Sequence, residues 1–84
     1  MSSTVTIELP DQAVEFLGES KTQLARELLV AAVLRWFEEG RLSQGQAATT
    51  LGMNRVEFFN LLNQRHVSPV QMTVQELEED FRRG

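Results

Sequence analysis

The segment Ser43-Gln-Gly-Gln-Ala-Ala-Thr-Thr-Leu-Gly-Met-Asn-Arg-Val-Glu-Phe-Phe-Asn-Leu-Leu62 constrains the fold more than any other part of this chain. Ala47 and Ala48 are small enough to let two helices cross closely. Leu51 closes the first of them, and Gly52 supplies the positive φ that few other residues adopt cheaply. Asn54 then caps a second helix whose apolar stripe is Phe58, Leu61 and Leu62. Small residues, a glycine turn, a cap and an apolar stripe at this spacing predict a helix-turn-helix, a device that lays an α-helix into a DNA major groove.

Charge supports a specific contact rather than bulk phosphate binding. The chain carries 8 basic and 12 acidic residues, a net charge of −4, which argues against an indiscriminate nucleic-acid binder. Between Arg41 and His66, however, there are three arginines and a single glutamate, Glu57. The acidic excess lies on either side, around Asp11 to Glu39 and Glu76 to Asp80. A locally basic module in an acidic protein suits a salt-sensitive, specific DNA contact and leaves acidic surface for a basic protein partner.

With 84 residues the chain is one small domain whose core is limited, so oligomerisation would add considerably to its stability. It has no cysteine, which excludes a disulfide scaffold or a cysteine-based zinc site and fits a reducing cytoplasm, the expected location. Met1-Ser-Ser-Thr-Val-Thr has neither a basic region nor a long apolar run, so no signal peptide is expected. The longest apolar stretch, Leu28 to Phe37, is broken by Arg35 and too short to span a bilayer.

Thr4-Val-Thr-Ile-Glu-Leu9 alternates strictly, with Val5, Ile7 and Leu9 on one side, and predicts a half-buried β-strand ended by Pro10. A lone strand needs a partner. Two candidates exist: Val67 to Met72 of the same chain, weakened by Pro69, or the same strand of a second copy. Pro10 and Asp11 open a short helix through Leu17, stopped by Gly18. Ser20 and Gln23 form a capping box that starts a long helix through about Glu39, closed by Gly40. That helix is apolar over a wide arc, including Leu24, Leu28, Leu29, Ala32, Val33, Trp36 and Phe37, and is expected to be buried on two sides. Ser43 with Gln46, Asn54 with Glu57 and Thr73 with Glu76 repeat the capping box.

The predicted fold class is therefore mainly α with one short N-terminal strand. Residues 1–40 form a dimerisation element, 41–66 the helix-turn-helix, and 67–84 a C-terminal partner-binding segment ending in an acidic helix. The order strand, short helix, Gly18-Glu-Ser-Lys-Thr22 turn and long helix resembles the ribbon-helix-helix fold, which implies that two protomers pair their N-terminal strands. Glu8 lies on the outward face of that ribbon, where a basic or amide side chain would be expected of a DNA reader, so this half is read as a dimerisation element. Val5, Ile7, Leu9, Leu28, Ala32 and Trp36 are its candidate contact residues.

The whole chain resembles a family of small prokaryotic proteins regarded as uncharacterised or as candidate antitoxins of toxin–antitoxin pairs. The likeness rests on Glu39-Gly40-Arg41-Leu42-Ser43, Gly45, Ala47-Ala48, Leu51-Gly52-Met53, Glu57-Phe58, Leu61-Leu62, Arg65 and Pro69-Val70. The chain departs from the family pattern at Gln71-Met72-Thr73. The resemblance implies a DNA-binding antitoxin that represses its own operon and holds a nuclease-type toxin inactive.

With Phe58, Leu61 and Leu62 facing inward, helical geometry puts Val56, Asn60 and Asn63 outward, flanked by Arg55, Phe59 and Gln64. Asn can bond adenine bidentately, Arg can bond guanine, and an apolar side chain can touch a thymine methyl. Arg55, Asn60 and Asn63 are the candidates for base edges. Arg41, Ser43, Gln44 and Thr50 are better placed for phosphates, and Asn54, Val56 and Gln64 complete the candidate DNA-binding surface. Two such units in a dimer would face DNA about one helical turn apart and imply a palindromic operator. Val74, Leu77 and Phe81 lie on one face of the acidic tail helix and are candidates to enter a groove on the partner, a toxin by the resemblance.

No catalytic residues, cofactor or metal site are expected. His66 is the lone histidine, with no nucleophile near it in sequence, and a metal site needs more than one ligand of its kind. Glu76, Glu78, Glu79 and Asp80 lack the loop spacing and glycine of a calcium site. The competing class is a protein-interaction adaptor that does not bind DNA and acts through its dimer face and acidic C-terminal helix.

Overall fold

The computed structural model describes residues 2–69. Within them the chain is helical: α1 (Asp11–Leu17), α2 (Lys21–Glu38), α3 (Gln44–Leu51) and α4 (Arg55–Gln64). Each of the last three opens on a complete capping box. Ser20, Ser43 and Asn54 accept from the backbone N–H groups of Gln23, Gln46 and Glu57, whose side chains accept in return from the capping residues' own N–H groups. These reciprocal bonds satisfy donors that a helix start otherwise leaves unpaired.

The same three helices end alike. The Arg41 N–H reaches back to the Trp36 carbonyl, Met53 to Ala48 and Val67 to Leu62, each at 2.8–2.9 Å. The residue before each donor, Gly40, Gly52 and His66, bonds the carbonyl three positions earlier. This is the Schellman pattern, which needs a left-handed residue at the turn. Gly52 meets that need at φ 68° without steric cost, whereas His66 meets it at φ 56° despite its Cβ. Val67 then folds back onto the core, as the residue after such a turn commonly does.

The core lies between α2, α3 and α4. Val30, Val33, Leu34 and Phe37 of α2 meet Ala47, Ala48 and Leu51 of α3 and Phe58, Leu61 and Leu62 of α4. Phe37 and Phe58 pack edge to face, centroids 5.4 Å apart. Ala47 and Ala48 are buried, so α3 can lie close to its neighbours. Two adjacent residues of α2 hold the far ends of the other helices. The Arg26 Nη2 donates to the Leu51 carbonyl at 3.0 Å, and Glu27 pairs with Arg65 at 3.2 Å. Arg26 thereby neutralises the negative end of α3.

The expected strand over residues 4–9 does not form in the single chain, and the described residues contain no strand. Val5 is 83 % and Ile7 63 % exposed. The physical reason is the absence of an edge to pair with. The intrachain candidate cannot serve over its described part, because the Val67 N–H is already bonded to the Leu62 carbonyl. Residues 70–72 of that candidate, and the expected tail helix with Val74, Leu77 and Phe81, lie outside the described residues. No helix among the described residues is long and apolar enough to cross a membrane.

Candidate nucleic-acid interface

The segment that the sequence reads as a helix-turn-helix comprises α3, the turn Gly52-Met53-Asn54 and α4. Its inner side is the core just described. Its outer side is built by what α4 cannot bury: Arg55, Val56, Phe59, Asn60, Asn63 and Gln64 are all exposed. Val56 at 69 % and Phe59 at 45 % exposure make this face partly apolar, with amides on both sides. Arg55 leans across the turn, its Nη2 about 3.5 Å from where a Cβ on Gly45 would stand. A shallow groove runs between the helices there, lined by Ser43, Gly45, Gln46, Thr49, Asn54 and Arg55 among others.

The candidate phosphate contacts are tied into the fold to different degrees. The Arg41 guanidinium lies over the Trp36 ring, 5.4 Å from its centroid. The Gln44 Nε2 donates to the Pro69 carbonyl at 2.9 Å, and the Thr50 hydroxyl donates to the Gln46 carbonyl at 2.8 Å. Ser43 and Asn54 use their side-chain oxygens as caps. By contrast, the side chains of Arg55, Asn60, Asn63 and Gln64 make no ion pair or hydrogen bond with the described residues. Among the candidate DNA-binding residues, the polar side chains with no described hydrogen-bond or ion-pair partner thus include Arg55, Asn60, Asn63 and Gln64 of α4. Among the described residues no cluster of three or more metal-ligating side chains occurs.

The candidate dimerisation residues come together elsewhere. Val5, Ile7, Leu9, Leu28, Ala32 and Trp36 all line one groove between the N-terminal arm and α2. Leu29 lines it too, although periodicity alone does not separate its exposed position from the core positions. Sequence reasoning also missed Arg26 and Glu27, because their partners stand 25 and 38 residues away and leave no local pattern. Phe16, which no sequence signal singles out, stands 84 % exposed on α1.

The model of an uncharacterised protein family, UPF0175, matches residues 1–83, nearly the whole chain. The protein belongs to the UPF0175 family. A relative from Aeropyrum pernix, itself described as a UPF0175 protein, is 32 % identical over 80 residues, covering 95 % of this chain and 84 % of its own. No solved structure matches significantly.

Proposed function

We propose that this UPF0175 protein is a DNA-binding transcriptional regulator that lays α4 in the major groove. The observation that carries the reading is the division of α4 into two faces. Phe58, Leu61 and Leu62 are buried, while the outward side offers a guanidinium and two amides with no partner among the described residues. Arg55, Asn60 and Asn63 are the base-reading residues, and Val56 and Phe59 suit thymine methyls. Ser43 and Arg41 are placed for phosphates, which fix position without reading sequence.

The N-terminal 40 residues act as a ribbon-helix-helix-like dimerisation element, so that a homodimer meets a palindromic operator in the cytoplasm. The exposed apolar arm beside α2 supports this part. The likeness of the Glu39 to Val70 motif block to candidate antitoxins supports a role in repressing the protein's own operon while its tail neutralises a nuclease-type toxin.

Fluorescence anisotropy on DNA from the protein's own upstream region tests the DNA reading. Sequence-dependent binding is expected, with Asn60→Ala weakening it by about 1–3 kcal/mol. Binding that is weak, equal on random DNA and lost at physiological salt would make the motif a scaffold and favour the adaptor class.

A further inference from the structure

We infer that residues 4–9 become a β-strand only against the same segment of a second copy, antiparallel and in a register centred on Ile7. The inference rests on the reading of residues 1–40 as a dimerisation element with paired strands and adds the register of that pairing. Among the described residues, the backbone groups of residues 4–9 make no backbone hydrogen bond. The arm therefore presents both of its edges. The side-chain pattern is that of a strand with one face to bury, and that face borders an open groove against Leu28, Leu29 and Trp36 of α2.

A second copy is the occupant that the groove itself describes. Glu8 and Asp11 share its lining with Lys21, and Lys21 has no ion pair among the described residues. A surface that carries both signs beside an unpaired strand is complementary to its own image across a two-fold axis. A strand from a second copy meets the arm edge to edge, and its apolar row extends the wall facing α2.

The register follows from the side chains. Residues directly opposite in an antiparallel pair point to the same face, so only registers that place odd positions against odd ones keep both apolar rows on one side. Centring on Glu8 sets Glu8 against the partner's Glu8, and like charges directly opposite are destabilising. Centring on Thr6 sets Leu9 against the partner's Ser3 and breaks the apolar row. Centring on Ile7 sets Ile7 against the partner's Ile7, Val5 against the partner's Leu9, and Glu8 against the partner's Thr6. It is the register in which every apolar residue of the arm meets another.

The chain contains no cysteine, so single cysteines report on the pairing cleanly. The experiment is mild oxidation of the full chain carrying Ile7→Cys, Val5→Cys or the double change Val5→Cys with Leu9→Cys, read on non-reducing gels. Sedimentation of the wild type runs beside it. Opposed cysteines at position 7 fall near disulfide range, whereas two at position 5 stand about 14 Å apart. Ile7→Cys and the double variant are expected to cross-link roughly tenfold faster than Val5→Cys alone. Thr6→Cys and Glu8→Cys serve as register controls and are expected to be slow. A wild type that stays monomeric throughout the micromolar range overturns the dimer reading and this register together. A dimeric wild type whose cross-linking peaks at Thr6→Cys or Glu8→Cys, or is absent from Ile7→Cys and from the double variant, overturns the register alone.

Discussion

The front of the molecule, residues 2–20, and the α2–α4 unit behind it both carry local start and stop signals but differ in burial. α1 begins with Pro10 and Asp11, without a side-chain cap bond, and ends at a left-handed Gly18 like the one that closes α3. Yet α1 buries no residue, and the arm before it is exposed throughout. Each of α2, α3 and α4 buries at least three residues in one shared cluster or beside it. The difference teaches that caps and turns place an element, while its contribution to stability comes from the surface it meets. The apolar residues of the front line an open groove beside α2 or stand exposed, and only Ala13 and Val14 are half-buried.

Paired truncations on the two sides would break this contrast if it is wrong. Phe58 is buried against Phe37, and Phe58→Ala is expected to cost about 3–5 kcal/mol, a large share of the stability of a domain this small. Phe16 is 84 % exposed, and Phe16→Ala is expected to fall within about 0.5 kcal/mol of the wild type. Urea unfolding followed by far-UV circular dichroism, at dilute protein, measures both. A comparable loss at Phe16 would mean that α1 has a packed face of its own.

The same contrast explains what could be read from the residues alone. The two helices α3 and α4 and the turn between them were legible because their signals are local: Ala47, Ala48, Gly52, Asn54 and the Phe58, Leu61, Leu62 stripe lie within a few turns of one another, and all but the cap and the glycine are buried. The exposed outer face of α4 followed from helical geometry once the inner face was fixed. The strand over residues 4–9 was read from an alternation that is present, but alternation encodes a face to bury and not the edge that must pair. The two positioning side chains, Arg26 on the end of α3 and Glu27 on Arg65, were invisible because charged residues on α2 look alike until the fold brings their partners near.

Glycine substitutions sharpen the contrast on a smaller scale. Gly18 and Gly52 hold nearly the same left-handed backbone, φ 66° and 68°, and a Cβ added at either would meet no other atom within 4 Å. Alanine therefore meets the same local strain at both, about 1–2 kcal/mol. Gly52→Ala is expected to lower global stability by about that amount, because the turn holds α3 against α4. Gly18→Ala is expected to register mainly as fraying of α1, with little change in the global midpoint. Thermal melts beside amide exchange distinguish the two, and equal midpoint losses would tie α1 to the core's cooperative unit.

The smallest effect has the opposite sign. His66 closes α4 in the left-handed conformation that Gly52 uses to close α3, and both turns carry the same pair of backbone bonds. His66 is exposed, so its side chain has little packing to lose. His66→Gly removes the Cβ conflict at φ 56° but also loosens the unfolded chain, which offsets part of the gain. The expected net result is stabilisation of about 0.5 kcal/mol, read as a small rise in the urea midpoint at unchanged slope. A fall in the midpoint would show that the imidazole makes a contact outweighing the backbone strain, and would set this turn apart from the one between α3 and α4.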